Sequence, residues 1–313
     1  MTILFSATGF DPGRWLDILR RVAPERSVIT ERSGSDDAAV DYAIVWKQPP
    51  RALLGLPGLK AIFSLGAGVD HLLRDPDLPD VPIVRVVAED LTQRMTEFVV
   101  WRVLDHLRQG RVYREQQGKR LWHERSQPAA GAVTVGILGL GELGRDAADK
   151  LGALGFRLAG WTRSPRTVGG VETFHGAEGL TRFLALSDIV VVLLPLTAET
   201  AGIVDAAFLS KMKSVTPLGG PVLINAGRGG LQVEADILAA LDAGTLMEAS
   251  LDVFATEPLP QDSPLWAHPR VFVTPHAAAV SDPEALLPLM VAQMDAHDRG
   301  EPLRNLVDRS AGY

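Results

Sequence analysis

Three residues of acid–base and charge-binding type each follow an apolar run in the second half of the chain. Arg228 lies among the glycines of NAGRGG, Glu257 follows LDVFAT, and His276 follows VFVTP. If these runs are parallel strands of one sheet, their carboxyl ends share one edge, and the three side chains can meet there. The sequence therefore predicts a single site that contains an arginine, a carboxylate and an imidazole.

These residue types suit the reduction of a carbonyl group. When a hydride reaches a keto carbon, negative charge develops on the oxygen, which then takes up a proton. A protonated imidazole supplies that proton as a general acid, typically for ~10²–10⁴ in rate, and a neighbouring carboxylate favours the protonated ring. An arginine, charged at all working pH values, holds a 2-keto acid and polarises its carbonyl.

Each residue also has an ordinary structural explanation when it is considered singly. Arg228 could be a surface cation, Glu257 a loop acid before a proline, and His276 a helix cap or a hydrogen-bonded core residue. Their shared position after apolar runs favours a common site. The other six histidines lack such a context, and the sequence has no His-x-x-x-His motif that would indicate a metal site.

A dinucleotide-binding unit precedes these residues in the chain. An apolar run at 133–138 leads through GLGELG, with Gly139, Gly141 and Gly144, into a helical segment and a second apolar run at 156–161. The first glycine allows a tight turn, the second lets a pyrophosphate approach the backbone, and the third lets helix and strand pack closely. The helix N-terminus then offers N–H groups to the phosphates.

The end of this unit predicts which nicotinamide cofactor binds. Where an NAD-binding unit carries Asp or Glu for the ribose 2′-hydroxyl, this chain has Thr162, followed by Arg163, Ser164 and Arg166. A carboxylate would repel a 2′-phosphate, whereas guanidinium and hydroxyl groups bind it. We therefore predict NADPH or NADP⁺ as the cofactor, with NADH as a weaker alternative.

The elements that must position these residues alternate between strand and helix. Strands are predicted at residues 2–7, 27–30, 42–46, 61–65, 82–87, 133–138, 156–161, 188–194, 221–225, 246–253 and 271–274. Such alternation predicts parallel sheets with helices on both faces. We expect an α/β protein in which residues 1–98 and 283–313 form a flavodoxin-like substrate domain and residues 99–282 form a Rossmann cofactor-binding domain.

One long helix is predicted at residues 91–118. Met95, Phe98, Val99 and Val103 recur there at helical spacing. The apolar groups lie on more than one face, which suits a helix that packs between domains or subunits.

Two strand ends in the first domain carry candidate substrate-binding residues. Trp46 ends one predicted strand and Lys47 follows it, while Ala67, Gly68 and Val69 follow another predicted strand at a glycine turn before a helix. Successive backbone N–H groups in such a turn suit a carboxylate. The turn could equally serve only to connect strand to helix, and Lys47 could be a solvated surface lysine.

The composition limits the classes of partner and compartment. The chain has 313 residues, a net charge of −7, no cysteine and no long basic block, so disulfides are excluded and nucleic acid is disfavoured. No apolar run approaches the ~20 residues that span a bilayer, and the N-terminus lacks the basic start of a signal peptide. We therefore expect a cytoplasmic protein without a nucleic-acid or membrane partner.

In order along the chain, GLGELG, LPLTAET, NAGRGG, LDVFATEPLP and TPHAAA resemble the motifs of the D-isomer-specific 2-hydroxyacid dehydrogenases. The resemblance covers essentially the whole length. It implies that Arg228 binds the substrate, that Glu257 is the partner of the histidine, and that His276 is the acid–base catalyst. It also implies that the backbone of residues 67–69 holds the substrate carboxylate, and that residues 91–118 contribute to a homodimer.

The same resemblance extends the prediction of cofactor-binding residues. The full set is Gly139, Gly141, Glu142, Leu143, Gly144, Thr162, Arg163, Ser164, Arg166, Leu194, Pro195, Thr200, Ala226, Gly227 and Asp252. One departure is Gly230, where relatives often carry a larger apolar residue. We expect this glycine to loosen the pocket wall beside Arg228.

These observations together predict NADPH-dependent reduction of a short 2-keto acid, such as glyoxylate or hydroxypyruvate. Two alternatives stay open. One is an NAD-dependent dehydrogenase for a different or bulkier 2-hydroxy acid, of the phenylpyruvate or D-lactate type. The other is a nucleotide-sensing protein like the corepressors that share this fold, although the chain keeps all three catalytic residue types.

Overall fold

The computed structural model describes residues 1–34 and 37–313 and separates them into two units. Unit 1 comprises Met1–Leu91 and Val280–Tyr313, and unit 2 comprises Thr92–Ala279. The chain thus leaves and re-enters unit 1 a few residues before the positions 98 and 283 that the sequence suggested. Within the described ranges, no helix is both long and apolar enough to cross a membrane.

Strands and helices alternate along both units. The strands are β1 (Thr2–Ala7), β2 (Ser27–Ile29), β3 (Val40–Trp46), β4 (Ala61–Ser64), β5 (Ile83–Val84), β6 (Thr134–Leu138), β7 (Arg157–Thr162), β8 (Glu172–His175), β9 (Ile189–Val192), β10 (Val222–Asn225), β11 (Glu248–Leu251) and β12 (Val271–Val273). The helices are α1 (Gly13–Val22), α2 (Asp70–Leu73), α3 (Glu89–Leu107), α4 (Gly110–Gly118), α5 (Glu142–Ala153), α6 (Gly176–Leu186), α7 (Ala206–Ser210), α8 (Glu234–Ala243) and α9 (Pro283–Asp298).

Unit 1 contains a five-stranded parallel sheet in the order β2-β1-β3-β4-β5. This is the flavodoxin-like order, in which ligands bind beyond the carboxyl ends of the strands. Helix α1 buries Trp15, Ile18 and Leu19 and packs against α9. Helix α9 begins at Pro283, where the Asp282 side chain accepts a hydrogen bond from the Glu284 N–H.

Unit 2 contains a seven-stranded parallel sheet in the order β12-β11-β10-β9-β6-β7-β8. The chain order reverses between β6 and β9, which makes their carboxyl ends the switch point of a Rossmann sheet. Strands β6, β9 and β10 are fully buried, as expected for strands covered on both faces. The predicted α/β class with two parallel sheets is confirmed.

The predicted single helix at residues 91–118 is wrong, because two helices occupy this segment. Gln109 lies between them with a left-handed backbone, φ 56°. Its side chain accepts a hydrogen bond from Arg125 Nε at 2.8 Å and donates one to the Ser126 carbonyl at 2.7 Å. These long-range bonds hold the chain in its turn between the two helices. The spacing of apolar residues in the sequence does not predict them.

Two further differences concern strands. The segment predicted at residues 82–87 pairs only over Ile83–Val84. Strand β8 at Glu172–His175 was not predicted. It is an edge strand with one buried residue, Phe174, so it lacks the apolar alternation that identifies a half-buried strand.

A charged network joins the end of α9 to the start of β3 in unit 1. The Asp298 carboxylate accepts hydrogen bonds from Lys60 Nζ at 2.8 Å, from Arg26 at 2.7 Å and from the Tyr42 hydroxyl at 2.9 Å. Although burial acts to raise the pKa of Asp298, these donors lower it from 3.8 to about 2. Burial and the Asp298 carboxylate raise the pKa of Tyr42 above its ordinary range.

This network predicts a specific acid sensitivity. Because the pKa of Asp298 is lower in the folded protein than in the unfolded chain, its stabilisation is present above pH 4 and is lost as the pH falls through about 2. We expect Asp298→Asn to lower the free energy of unfolding by about 2 kcal/mol at neutral pH and to flatten its dependence on pH below 4. Urea unfolding at several pH values measures both.

Asp295→Asn is the control, since Asp295 also binds Arg26 but its side chain is 50% exposed. An equal pH dependence in wild type and Asp298→Asn would contradict the assignment.

Candidate active site

The glycine loop between β6 and α5 has three different steric requirements. Gly139 has φ 102°, and a Cβ there would lie 2.9 Å from the Leu193 carbonyl oxygen. A Cβ on Gly144 would lie 1.9 Å from the Gly139 carbonyl oxygen, so only glycine allows α5 to approach the loop. Gly141 precedes α5 and faces open space. The loop therefore leaves the N-terminus of α5 accessible to a phosphate group.

The basic turn after β7 lies next to this loop. Arg166 donates a hydrogen bond to the Leu140 carbonyl at 2.7 Å, which brings its guanidinium to the glycine loop. The Thr162 hydroxyl donates to the Ser164 carbonyl at 2.8 Å and orders the turn. Arg163 lies 3.8 Å from Glu199, and both side chains are more than half exposed. Nothing in the sequence indicates this acidic neighbour of Arg163, because Glu199 is distant in the chain.

Other predicted cofactor-binding residues lie at the ends of β9 and β10, which are neighbours in the sheet. A Cβ on Gly227 would lie 3.0 Å from the Leu194 carbonyl oxygen, so the two strand ends are in close backbone contact. The Thr200 hydroxyl donates to the Pro195 carbonyl at 2.7 Å. Ala226 is buried between these segments. The structure thus brings these residues to the same sheet edge as the glycine loop.

The loop that carries Arg228 is held by two buried amides that the sequence analysis missed. The Asn225 side chain accepts from the Gly227 N–H at 3.0 Å and donates to the Gln232 side chain at 2.8 Å. Gln232 donates in turn to the Val253 carbonyl at 3.0 Å. The sequence feature that could have indicated this pair is an asparagine, Asn225, at the end of a buried strand, with a glutamine, Gln232, shortly after it. These bonds connect the Arg228 loop to the segment that follows β11.

Gly230, which we expect from the sequence to loosen the wall beside Arg228, lies next to Leu196. A Cβ at this position would lie 2.8 Å from Leu196 Cδ2, so a larger residue would require the Leu196 side chain to move. The effect of Gly230 on the pocket wall stays a prediction.

Glu257 and His276 form the pair that the sequence predicted. The distance from His276 Nδ1 to Glu257 Oε2 is 2.8 Å, and the other carboxylate oxygen of Glu257 accepts from the Phe254 N–H at 3.2 Å. The two side chains are 30% and 21% exposed, so solvent-borne ligands can reach them. With Nδ1 bound to the carboxylate, the ring can give a proton from Nε2.

Asp252 shapes the bend that presents His276. Its buried carboxylate accepts hydrogen bonds from the Thr274 hydroxyl at 2.6 Å, from the Ala277 N–H at 2.8 Å and from the Ala278 N–H at 3.0 Å. His276 itself has φ 53°, an uncommon backbone for a residue with a side chain. Asp252 was predicted to bind the cofactor. The structure gives its carboxylate a role in positioning this loop, and the cofactor contact stays a prediction.

The predicted substrate-binding residues of unit 1 lie at the ends of β3 and β4, which are neighbours in its sheet. Trp46 ends β3, and Lys47 follows it with a left-handed backbone, φ 43°. Residues 67–69 lead into α2, and Val69 is the N-cap residue of that helix. In the part of the chain that the structure describes, no group of three or more His, Cys, Asp or Glu residues could hold a metal ion.

Comparisons with known proteins agree with this arrangement. A family model described as D-isomer specific 2-hydroxyacid dehydrogenase, NAD binding domain, matches residues 100–278. Glyoxylate/hydroxypyruvate reductase A of Yersinia enterocolitica is 39% identical over 319 residues, which cover 100% of both chains. The crystal structure of an NADPH-dependent glyoxylate/hydroxypyruvate reductase from Sinorhizobium meliloti, in complex with NADP and sulfate, has a TM-score of 0.94 and 48% identity. A probable 2-hydroxyacid dehydrogenase from Rhizobium etli, in complex with NADP, HEPES and L(+)-tartaric acid, has a TM-score of 0.93 and 45% identity. Both solved structures cover 100% of this chain, which covers 99% of each.

The contact between His276 and Glu257 predicts the effect of removing one charge. Glu257→Gln keeps a hydrogen-bonding oxygen beside Nδ1 but removes the negative charge that stands against the imidazole. We expect kcat for keto-acid reduction to decrease about tenfold or more, with the KM for NADPH nearly unchanged. Steady-state kinetics with the keto acid and with NADPH measure both parameters. A variant that keeps the wild-type kcat would count against the pairing.

Proposed function

The chain belongs to the D-isomer specific 2-hydroxyacid dehydrogenase family, and we propose that it reduces glyoxylate, hydroxypyruvate or a similar short 2-keto acid with NADPH. The product is the 2-hydroxy acid, as the D-isomer where the new centre is chiral. The observation that carries this proposal is the hydrogen-bonded pair of His276 and Glu257, at 2.8 Å. It lies at the same sheet edge as the glycine loop. The relatives from Yersinia and Sinorhizobium, both named as glyoxylate/hydroxypyruvate reductases, support the substrate class.

The cofactor supplies the hydride when it is bound, and the side chains of the chain supply the rest. His276 gives a proton from Nε2 to the keto oxygen, and Glu257 stabilises the charged imidazole before that transfer. Arg228 offers a permanent positive charge to the substrate carboxylate and to the polarised carbonyl. The buried amides of Asn225 and Gln232 keep the Arg228 loop in a fixed conformation, which lowers the cost of ordering it on binding.

NADPH is the proposed cofactor because the residues at the end of β7 suit a 2′-phosphate. This turn has hydroxyl groups at Thr162 and Ser164 and guanidinium groups at Arg163 and Arg166. The bare Cα of Gly141 fits the close approach of a pyrophosphate. The relatives from Sinorhizobium and Rhizobium, which were crystallised in complex with NADP, support the same choice.

The substrate carboxylate is assigned to the N–H groups of residues 67–69 in unit 1. Three successive residues there precede α2 at the carboxyl end of β4, where a parallel sheet binds ligands. Trp46 ends the neighbouring strand and Lys47 follows it, and both are assigned to the same substrate site. We propose a cytoplasmic enzyme, since the chain has no cysteine and the cytoplasm is a reducing compartment.

A homodimer is proposed from exposed apolar surface on unit 2. Trp122 is completely exposed, and Leu121 and Trp101 are about half exposed. Trp101 belongs to α3, and Leu121 and Trp122 follow α4. Exposed large apolar residues of this kind are typical of interfaces between protein chains. The proposed interface comprises α3, α4 and the segment that follows α4.

The first test of the proposed function is oxidation of NADPH by the purified protein with glyoxylate and hydroxypyruvate, followed by the loss of nicotinamide absorbance. We expect a much lower KM for NADPH than for NADH. Arg166→Ala should raise the KM for NADPH about 10- to 100-fold, the equivalent of a lost charge-assisted hydrogen bond of about 1.5–3 kcal/mol. The KM for NADH is the internal control, because NADH has no 2′-phosphate. Binding of the cofactor without turnover of any 2-keto acid would instead support the nucleotide-sensing alternative.

The dimer is tested by sedimentation of Trp122→Ser. Removing a fully exposed indole from the proposed interface should weaken dimerisation by about 2 kcal/mol or more, so the variant should dissociate at concentrations where the wild type is dimeric. Val215→Ser is the matched control, because Val215 is also exposed on unit 2 but lies outside the proposed interface. A wild type that sediments as a monomer would refute the proposal.

A further inference from the structure

The backbone conformation at position 66 does not require a glycine. Gly66 follows β4 and does not have a positive φ. A Cβ at this position would lie 2.1 Å from Cζ3 and 2.8 Å from Cη2 of Trp46. These are atoms of the six-membered ring of the indole. The absence of a side chain at position 66 is therefore explained by the ring of Trp46, which occupies that space.

The indole of Trp46 has two further neighbours in unit 1. Its ring and the His71 imidazole form an edge-to-face contact, with 4.9 Å between centroids and an interplanar angle of 63°. Lys47 Nζ lies 5.8 Å from the indole centroid, within the range of a cation–π interaction. The backbone at Trp46 is also fixed, because its carbonyl accepts a hydrogen bond from the Thr8 N–H at 3.0 Å. The ring is thus held by the ends of β3 and β4 and by α2.

The backbone of Gly66 cannot easily shift away from the ring. The hydroxyl of Ser64, which is fully buried, donates to the Gly66 carbonyl at 3.0 Å and accepts from the Gly66 N–H at 3.2 Å. A methyl group at position 66 must therefore displace the indole, since the loop is tied to the strand before it. The indole, in contrast, is only partly buried.

We propose that Gly66 and His71 are positioning residues that fix the Trp46 indole as a wall of the substrate site, and that this wall restricts the substituent on the keto carbon to a small group. The inference rests on the proposed function, because it takes residues 67–69 as the seat of the substrate carboxylate. Gly66 immediately precedes that seat in the chain, so its Cα lies about 3.8 Å from the next. The indole packed on Gly66 is close enough to contact the rest of a short 2-keto acid. Neither Gly66 nor His71 takes part in the chemical step.

The test measures kcat/KM for 2-keto acids of increasing substituent size, namely glyoxylate, pyruvate, 2-ketobutyrate and phenylpyruvate. In Gly66→Ala the new methyl displaces the indole and widens the site. We expect the ratio of kcat/KM for phenylpyruvate to that for glyoxylate to rise at least ~10-fold, with the KM for NADPH unchanged. His71→Ala should shift the ratio in the same direction, and His71→Phe, which keeps an aromatic ring, should largely retain the wild-type ratio.

A second measurement separates this steric role from general damage to the fold. Gly66→Ala should lower the Tm, and adding Trp46→Phe should recover part of that loss, because a phenyl ring does not reach the positions of Cζ3 and Cη2. Contacting residues are expected to be non-additive in this way. Gly179→Ala is the control for a glycine-to-alanine change, since a Cβ there would make an ordinary 3.4 Å contact with Phe174 Cβ. Gly179→Ala should not lower the Tm. It should also leave the ratio of kcat/KM for phenylpyruvate to that for glyoxylate unchanged.

The outcomes distinguish this inference from the proposed function. A Gly66→Ala enzyme that loses the same factor of kcat/KM on every keto acid would overturn the inference while the proposed function stands. A Tm loss that Trp46→Phe does not recover would overturn the packing argument itself. If the wild type reduces none of these acids while the recovery of Tm is seen, the packing of Gly66 and Trp46 is upheld and the proposed function fails.

Discussion

The proposed acid–base pair depends on one buried carboxylate. Asp252 is 1% exposed, and it accepts hydrogen bonds from Thr274, Ala277 and Ala278. A buried charge is costly unless its hydrogen-bonding capacity is used, and here the N–H groups of a sharp bend use it. The His276 N–H donates to the Asp252 carbonyl at 2.7 Å, so one residue fixes both the bend and its uncommon central backbone. The position of the imidazole against Glu257 follows from that constraint.

A second physical feature recurs in the site: other atoms come so close to several glycines that no side chain would fit there. Gly144 admits the Gly139 carbonyl, and Gly229 would place a Cβ 1.9 Å from the Phe254 backbone. Gly66 applies the same principle to an aromatic ring. In each case a side chain is absent because other atoms take its place, and the approaching group is thereby fixed. The contact at Gly229 matters most for catalysis as proposed, because it joins the Arg228 loop to the segment that leads to Glu257.

The sequence was sufficient for the features that follow from strand order. Apolar runs predicted the strands, and the rule that the carboxyl ends of parallel strands share an edge predicted that Glu257 and His276 lie together. It was insufficient where tertiary contacts override local pattern. Gln109 ends a helix because distant residues bind its side chain. Leu196 lies beside Gly230 and belongs to a separate segment. The role of Asp252 could not be predicted, because an aspartate after a strand does not indicate which N–H groups it will bind.

The basic turn after β7 explains how charge, more than shape, would select the cofactor. Arg166 is already held at the glycine loop by the Leu140 carbonyl, so a 2′-phosphate meets an ordered cation and pays little entropy to bind it. Arg163 instead faces Glu199 at 3.8 Å across an exposed surface, and such a pair is worth about 0–1 kcal/mol. A phosphate carrying nearly two charges can replace Glu199 as the partner of Arg163 at little cost, whereas a ribose hydroxyl cannot. Discrimination between NADPH and NADH would then arise from one preorganised arginine and one exchangeable arginine, and it should weaken with salt mainly through the second.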